Sequence, residues 1–298
     1  MNVLVTGSNG FIGSNVCRYL KRQGCCVIGL GRRPASAVAD VDEYICCDLS
    51  NAETEHIFDG RSIDAVVHLA ADMRHEPYEV DVVAHNCVGT QRLLEACEAK
   101  RIAVFVQLSS LPVIGRPDEH PITEKHPLHP PTVYHITKHM QELLADYAAY
   151  THGLRTVSFR ISAPVGVGMN QKTIFPTFVR NAMQGKDIII YGHGTRRQTF
   201  VHVDDIAQAI YKAILSDTAR GVYNLSSRNL ISNIELAQMC VEVLHSDSKI
   251  VFNGQSDPMD DDVWDVSLEH IIEDTGYEPV VSLEYAIKEQ ADALRTAQ

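Results

Sequence analysis

Residues 2–13 restrict the fold more than any other stretch of this chain. Asn2, Val3, Leu4, Val5 and Thr6 read as a short buried strand. Gly7, Gly10 and Gly13 follow at three-residue intervals and open a helical run carrying Val16, Cys17, Tyr19 and Leu20. Glycines in such a turn let the backbone approach a pyrophosphate. The helix that begins there turns its free N–H groups and the positive end of its dipole toward the same phosphates. The spacing is G-x-x-G-x-x-G rather than the commoner G-x-G-x-x-G, and Gly7, Gly10, Phe11, Ile12 and Gly13 are the candidate phosphate-end residues.

The rest of the chain keeps alternating. Strand patterns are expected at 2–6, 25–30, 44–47, 65–69, 103–108 and 154–160, with long helices over 77–100 and 132–151. That order predicts an α/β fold, a Rossmann-type doubly wound parallel sheet with helices on both faces. Past Arg160 the alternation loosens into glycine-rich and polar loops at 163–171 and 191–198. Helices are expected near 204–215, 232–244 and 283–295, the last preceded by an acidic stretch at 257–262. We read a dinucleotide-binding domain over residues 1–165 with 199–226. A smaller C-terminal substrate-binding lid over 166–198 with 227–298 covers the carboxyl edge of the sheet.

Composition excludes some roles. A net charge of −12 gives no basic stripe for nucleic acid, so an anionic ligand must be held by local arginines and backbone amides. No apolar run nears 18 residues, which argues against a membrane span. Met1 leads directly into the first strand, leaving no room for a signal peptide, so a cytoplasmic location is expected. The 8 cysteines form no C-x-x-C pattern. Cys25, Cys26, Cys46 and Cys47 lie in or beside strands and are expected as small buried hydrophobes. Among the histidines at 120, 126, 129, 135 and 139, His135 and His139 share a helix face. No carboxylate or cysteine ligand follows at a typical spacing, so no metal site is expected.

Tyr134 and Lys138 lie four residues apart, on one helix face. An ammonium there is expected to lower the phenol's pKa from about 10. Bringing it near neutrality needs roughly 4 kcal/mol of charge stabilisation. Such a tyrosine can exchange a proton with a carbonyl or alcohol oxygen. Ser109 and Ser110 end the expected strand at 103–108 and bring hydroxyls to the same edge.

Taken in order, Thr6-Gly7-x-x-Gly10-x-x-Gly13, His68-Leu69-Ala70-Ala71, Asn86-x-x-Gly89-Thr90, Leu108-Ser109-Ser110, Tyr134-x-x-x-Lys138 and His202-Val203-Asp204-Asp205 resemble the extended short-chain dehydrogenase/reductases. The branch they are similar to is the NAD-dependent epimerase/dehydratase family. The resemblance runs from residue 2 to about 225. It implies that Ser110 orients and polarises the reacting oxygen, with Ser109 as the alternative. It implies that Tyr134 is the acid/base and that Lys138 holds the nicotinamide ribose and lowers the tyrosine pKa. It also implies that Asp48 and Leu49 meet the adenine, that Leu69, Ala70 and Ala71 line the cofactor channel, and that Asn86 braces the loop nearby. Pro164 would complete the cofactor site. The loop at 191–200 resembles the one that carries an arginine to a substrate diphosphate, which makes Arg196 and Arg197 substrate-binding candidates; the spacing Gly194-x-Arg196-x-Gln198-x-Phe200 resembles one variant of that loop and favours Arg196.

The chain departs from the family pattern in places. Gly31-Arg32-Arg33 follow the second strand, where NAD users commonly place an acid for the ribose hydroxyls. Guanidinium forks suit a 2′-phosphate, so NADP(H) is favoured over NAD(H). Ser162-Ala163-Pro164-Val165-Gly166 stand where an Asn and a Tyr-Gly often occur, and Ile114 stands where a Tyr is common. Leu111-Pro112 after Ser110 replace the Asp-Glu pair of 4,6-dehydratases and the Cys of 3,5-epimerase/reductases. The expected activity is therefore a nucleotide-sugar 4-epimerase or 4-ketoreductase. The alternatives are an NADPH-dependent reductase of a hydrophobic ketone and a non-catalytic NADP-sensing regulator. Val133, Ile136, Met140, Leu144 and Tyr147 form a helical stripe. Like the paired helices of related enzymes, it implies a homodimer.

Overall fold

The computed structural model describes residues 1–51, 54–74 and 80–296. Among them a parallel sheet of seven strands forms the centre. Its strands are β1 (Asn2–Thr6), β2 (Cys26–Gly31), β3 (Glu43–Cys46), β4 (Ala65–His68), β5 (Val104–Ser110), β6 (Arg155–Ile161) and, after four short strands, β11 (Gly221–Leu225). Across the sheet they run β3-β2-β1-β4-β5-β6-β11, so the order reverses between β1 and β4. A crevice opens beyond the carboxyl ends of the strands at such a reversal, and ligands bind there in open α/β sheets.

Side-chain alternation explains the layers. Val3 and Val5 of β1 face one side with Val27, Val67 and Val106. There they meet Val16, Cys17 and Leu20 of α1 (Phe11–Arg22) and Ile206 and Ile210 of α6 (Val203–Leu215). Leu4 faces the other side with Ile28, Val66 and Phe105 and meets Leu93, Leu94 and Cys97 of α3 (Gly89–Ala99). Each such aliphatic side chain, fully buried, stabilises the fold by about 1.5–3 kcal/mol. Trimming Leu20 to alanine would cost about 2–5 kcal/mol through lost transfer energy and the cavity left behind.

A second, separate core joins Phe175, Phe178 and Val179 of α5 (Ile174–Met183), Leu236 and Cys240 of α7 (Asn233–Val243), and Leu283, Ile287 and Ala291 of α9 (Leu283–Thr296). Short strand pairs frame it: β7 (Ala163–Val165) with β10 (Phe200–His202), β8 (Ile188–Ile190) with β13 (Ile250–Phe252), and β9 (Arg197–Gln198) with β12 (Ile231–Ser232). The segment around α8 (Glu269–Thr275) packs Leu268, Ile271 and Tyr277 into the core of the main sheet instead.

The strand and helix expectations fall within one or two residues of these elements. The helix expected over 77–100 begins outside the described residues. Its described part is α2 (Val80–Val83), a π-helical turn over Ala84–Val88, and α3. The strand β11 and the helices α5 and α8 were not anticipated. In α5, Pro176 sits in the first turn, where its missing N–H costs nothing, but it interrupts the helical signal in the sequence. The cysteine expectation needs correcting: Cys25 is buried, but Cys26 and Cys46 are exposed and Cys47 is half-buried at the outer strands.

The helix α4 (Val133–His152) inverts a normal amphipathic helix. Its buried face carries Thr137, Lys138, Gln141, Glu142, Ala145 and Ala148. Ile136, Met140, Leu143, Tyr147 and Tyr150 are exposed, Tyr150 at 92%. No helix of the described residues is long and apolar enough to cross a membrane.

Candidate active site

A cleft of about 920 Å³ runs along the carboxyl edge of the sheet, between the two cores. One end is the turn between β1 and α1. Gly7 has φ +68°, and a Cβ on it would lie 2.8 Å from Ala70 N; a Cβ on Gly13 would lie 2.1 Å from Gly7 O. Only glycine lets β1, the turn and the residues after β4 come this close. Gly10 begins α1 in an extended conformation with no side-chain cap. The N–H groups of Phe11, Ile12 and Gly13 therefore have neither an intrahelical partner nor a cap, and all three residues line the cleft. A phosphate fits this cradle.

Arg32 and Arg33 line the same end and are exposed. The loop that carries them is tied to the glycine turn. Asn9 Nδ2 donates to Tyr44 Oη at 3.0 Å, Tyr44 Oη donates to Arg33 O at 2.9 Å, and Ala37 N donates to Asn9 Oδ1 at 2.8 Å. Asp48, Leu49, Leu69, Ala70, Ala71 and Pro164 also line the cleft.

Ser109, Ser110, Tyr134 and Lys138 meet at its centre. Strand β5 outruns β4 and delivers the two serines past the end of β4, with Ser110 opposite Ile161 of β6. Thr132 caps α4 by accepting from His135 N, which sets Tyr134 in the first turn and Lys138 one turn further in. The Lys138 ammonium lies 5.9 Å from the Tyr134 ring centroid. It donates to Leu108 O at 2.8 Å and to Gln141 Oε1 at 2.9 Å.

The pKa expectation is overturned. Burial pushes the Tyr134 phenol up to about 12. Burial also pulls Lys138 down to about 8, against the opposing pull of Glu142. The ammonium is directed at a carbonyl and an amide rather than at the phenol, so desolvation wins. At neutral pH the phenol carries its proton and can give it to an oxygen placed in the cleft.

A polar network beneath Lys138 positions it, joining the motif residues Thr6, His68, Asn86 and Thr90 to Gln141, which no motif names. Gln141 Nε2 donates to Thr90 Oγ1 at 2.6 Å and to Asn86 O at 3.1 Å, while Thr90 Oγ1 donates to Asn86 O at 2.5 Å. With the Thr90 hydroxyl proton so used, His68 Nε2–H must donate to Thr90 Oγ1 at 2.9 Å, and Thr6 Oγ1 donates to His68 Nδ1 at 2.8 Å. Burial lowers the His68 pKa to about 3, with Lys138 adding to it, so the imidazole is neutral. The amide of Asn86, in the π-helical turn, bonds to Asp72 N, Asp72 O and Thr137 Oγ1 at 2.7–2.9 Å. It braces the loop after β4 against the first turns of α4.

Arg196 lines the far side of the cleft, whereas Arg197 does not: it is exposed and donates to Leu230 O at 3.2 Å. Among the described residues, eight buried side-chain polar atoms lack a partner. Ser109 Oγ, Arg196 Nε and Trp264 Nε1 are three of them, and all three residues line this cleft. Trp264, Asn170 and Gln198 on this wall escaped the sequence reading. Trp264, as the single tryptophan, was the one visible signal among them.

Known proteins resemble this chain in sequence and fold. A dTDP-glucose 4,6-dehydratase of Streptomyces niveus is 29% identical over 314 residues, covering 99% of this chain and 93% of that protein. The solved UDP-glucose 4-epimerase of Thermotoga maritima superposes with a TM-score of 0.87 at 24% identity, covering 100% of this chain and 99% of that one. MoeE5, solved in complex with UDP-glucuronic acid and NAD, gives a TM-score of 0.83 at 26% identity, with 100% of both chains covered. Residues 3–226 match the sequence pattern of the NAD dependent epimerase/dehydratase family, and the chain is an enzyme belonging to that family.

Proposed function

We propose that the enzyme passes a hydride between C4 of a nucleotide-diphosphate sugar and a nicotinamide cofactor, as a 4-epimerase or a 4-ketoreductase. One observation carries this reading. A single cleft joins a phosphate cradle, a Ser110–Tyr134–Lys138 group and a buried, unpartnered arginine nitrogen at Arg196. Bound nicotinamide, when oxidised, supplies the hydride acceptor. The chain's own parts do the rest. Phe11, Ile12 and Gly13 hold the pyrophosphate through backbone N–H groups. Lys138 holds the ribose hydroxyls, and Ser110 orients the sugar hydroxyl. Tyr134 Oη gives its proton to the sugar carbonyl oxygen in reduction, and the phenolate left behind takes the sugar hydroxyl's proton in oxidation. Arg196 neutralises the substrate diphosphate, which a protein of net charge −12 otherwise repels at long range.

MoeE5 was solved with NAD. The exposed Arg32 and Arg33, with no acid in their place after β2, support a preference for NADP(H) in this chain. Dehydration is the weaker reading. The residues after Ser110 are Leu111, buried at 1%, and Pro112, so no carboxyl group stands there to serve an elimination. The separate cores support a cofactor-binding part over residues 1–165 with 199–226 and a substrate-binding part over 166–198 with 227–298, α8 excepted. The exposed apolar row on α4 supports a homodimer.

Arg196→Ala tests the substrate class. It should raise KM for UDP-glucose or dTDP-glucose by at least tenfold, since a hydrogen bond to a charged group contributes about 1.5–3 kcal/mol. Cofactor affinity should stay unchanged. A variant that binds nucleotide sugars as well as the parent removes this assignment and favours reduction of a hydrophobic ketone.

A further inference from the structure

Trp264 is the only tryptophan of the chain, and its Nε1–H is buried without a partner. A buried indole N–H nearly always finds an acceptor, because leaving it unmet costs about 1–3 kcal/mol. Its place in the cleft is fixed from two sides. Trp264 N donates to Arg197 O at 2.9 Å, and Val263 bridges to Arg197, which seats the residue beside the strand that begins directly after Arg196. On the other side the ring packs against the cluster of Leu111, Val113, Ile114 and Ile122, and Val266 bridges to Ile122. Leu111 to Ile114 are the turn that directly follows Ser110. The indole therefore stands between the reacting centre and the arginine that faces the diphosphate. In a nucleotide-diphosphate sugar, the part between those points is the sugar ring. A ring of that kind offers apolar C–H groups to an aromatic face and oxygen acceptors at its edge, which matches an indole with one free donor.

We propose that Trp264 is a specificity-determining residue that packs on the sugar and donates Nε1–H to one of its oxygens. Discrimination would then fall on the sugar rather than on the nucleotide. This rests on the nucleotide-sugar reading, and the test separates the two.

Calorimetric titration of the NADP-loaded parent and of Trp264→Phe would use UDP-glucose and UDP as ligands. Phenylalanine keeps an apolar ring and removes the donor. UDP-glucose affinity should fall about 3- to 10-fold, as expected for one neutral hydrogen bond, while UDP affinity stays unchanged. A second readout needs no variant: the parent's tryptophan emission reports this residue alone, and UDP-glucose should shift it more than UDP does. Equal loss for both ligands in Trp264→Phe, or emission blind to the sugar although UDP-glucose binds, overturns this inference and leaves the proposed function standing. A parent that binds neither UDP-glucose nor dTDP-glucose overturns both.

Discussion

At Lys138 and Tyr134 the same desolvation acts in opposite directions, holding each group toward its neutral form. The lysine has a consequence for stability. It holds its proton less tightly in the folded chain, near pH 8, than in the unfolded one, near about 10.4. Between those values the unfolded chain binds more protons, so this group adds stability as pH rises through the window. Urea unfolding of the parent and of Lys138→Met, measured from pH 7 to 10.5, should show the parent gaining on the variant by about 2–3 kcal/mol. A pH-independent difference would show that Lys138 is not held in a desolvated site. Arg32 and Arg33 have a separate consequence. Replacing both with alanine should weaken NADPH by about 10- to 100-fold, the worth of a charge-assisted phosphate contact, and NADH far less. Equal losses would show that they do not read a 2′-phosphate.

Two helices illustrate what the sequence discloses about elements. Helix α1 was legible because strand, glycines and apolar spacing agree. Helix α4 was legible in extent, and of the stripe read as a pairing face Ile136, Met140 and Tyr147 are exposed while Val133 and Leu144 are half-buried; its polar buried face was not legible. Its apolar stripe would normally face a core, yet here the buried face is polar, because Lys138, Gln141 and Glu142 are drawn inward by the network around His68 and by Arg160. Arg160 donates to Glu142 at 2.8 and 3.0 Å. That network draws its partners from β1, β4, β5 and the π-helical turn, so no local window of sequence could reveal it. Loop spacing favoured Arg196 over its neighbour Arg197, and in the structure Arg196 lines the cleft while Arg197, the first residue of β9, is exposed. Exposed Ile136, Met140, Leu143 and Tyr147 recur at intervals of four, three and four, the spacing of a helix-pairing seam. Leu143→Glu should convert a dimer into a monomer in sedimentation at micromolar concentration, with the far-ultraviolet circular dichroism unchanged. A parent that is already monomeric there would remove the dimer.

For the whole molecule, the motifs legible in the sequence all belong to the sheet and its carboxyl edge, where backbone geometry demands particular residues. The second core carried no such demands. Its helices and short strand pairs are held by ordinary apolar packing, and the far wall they supply was therefore the least legible part of the cleft. The two halves converge on one chemical claim, that hydride moves at a sugar C4 while Tyr134 moves the hydroxyl proton. A nucleotide sugar deuterated at C4, incubated with the enzyme and NAD or NADP and followed by NMR, tests that claim most directly. C4 should invert with the label retained, or deuterium should pass to the nicotinamide. Tyr134→Phe should slow either event by about 10²–10⁴-fold. A C4 that keeps both its label and its configuration, across UDP- and dTDP-sugars and with cofactor bound, would contradict it.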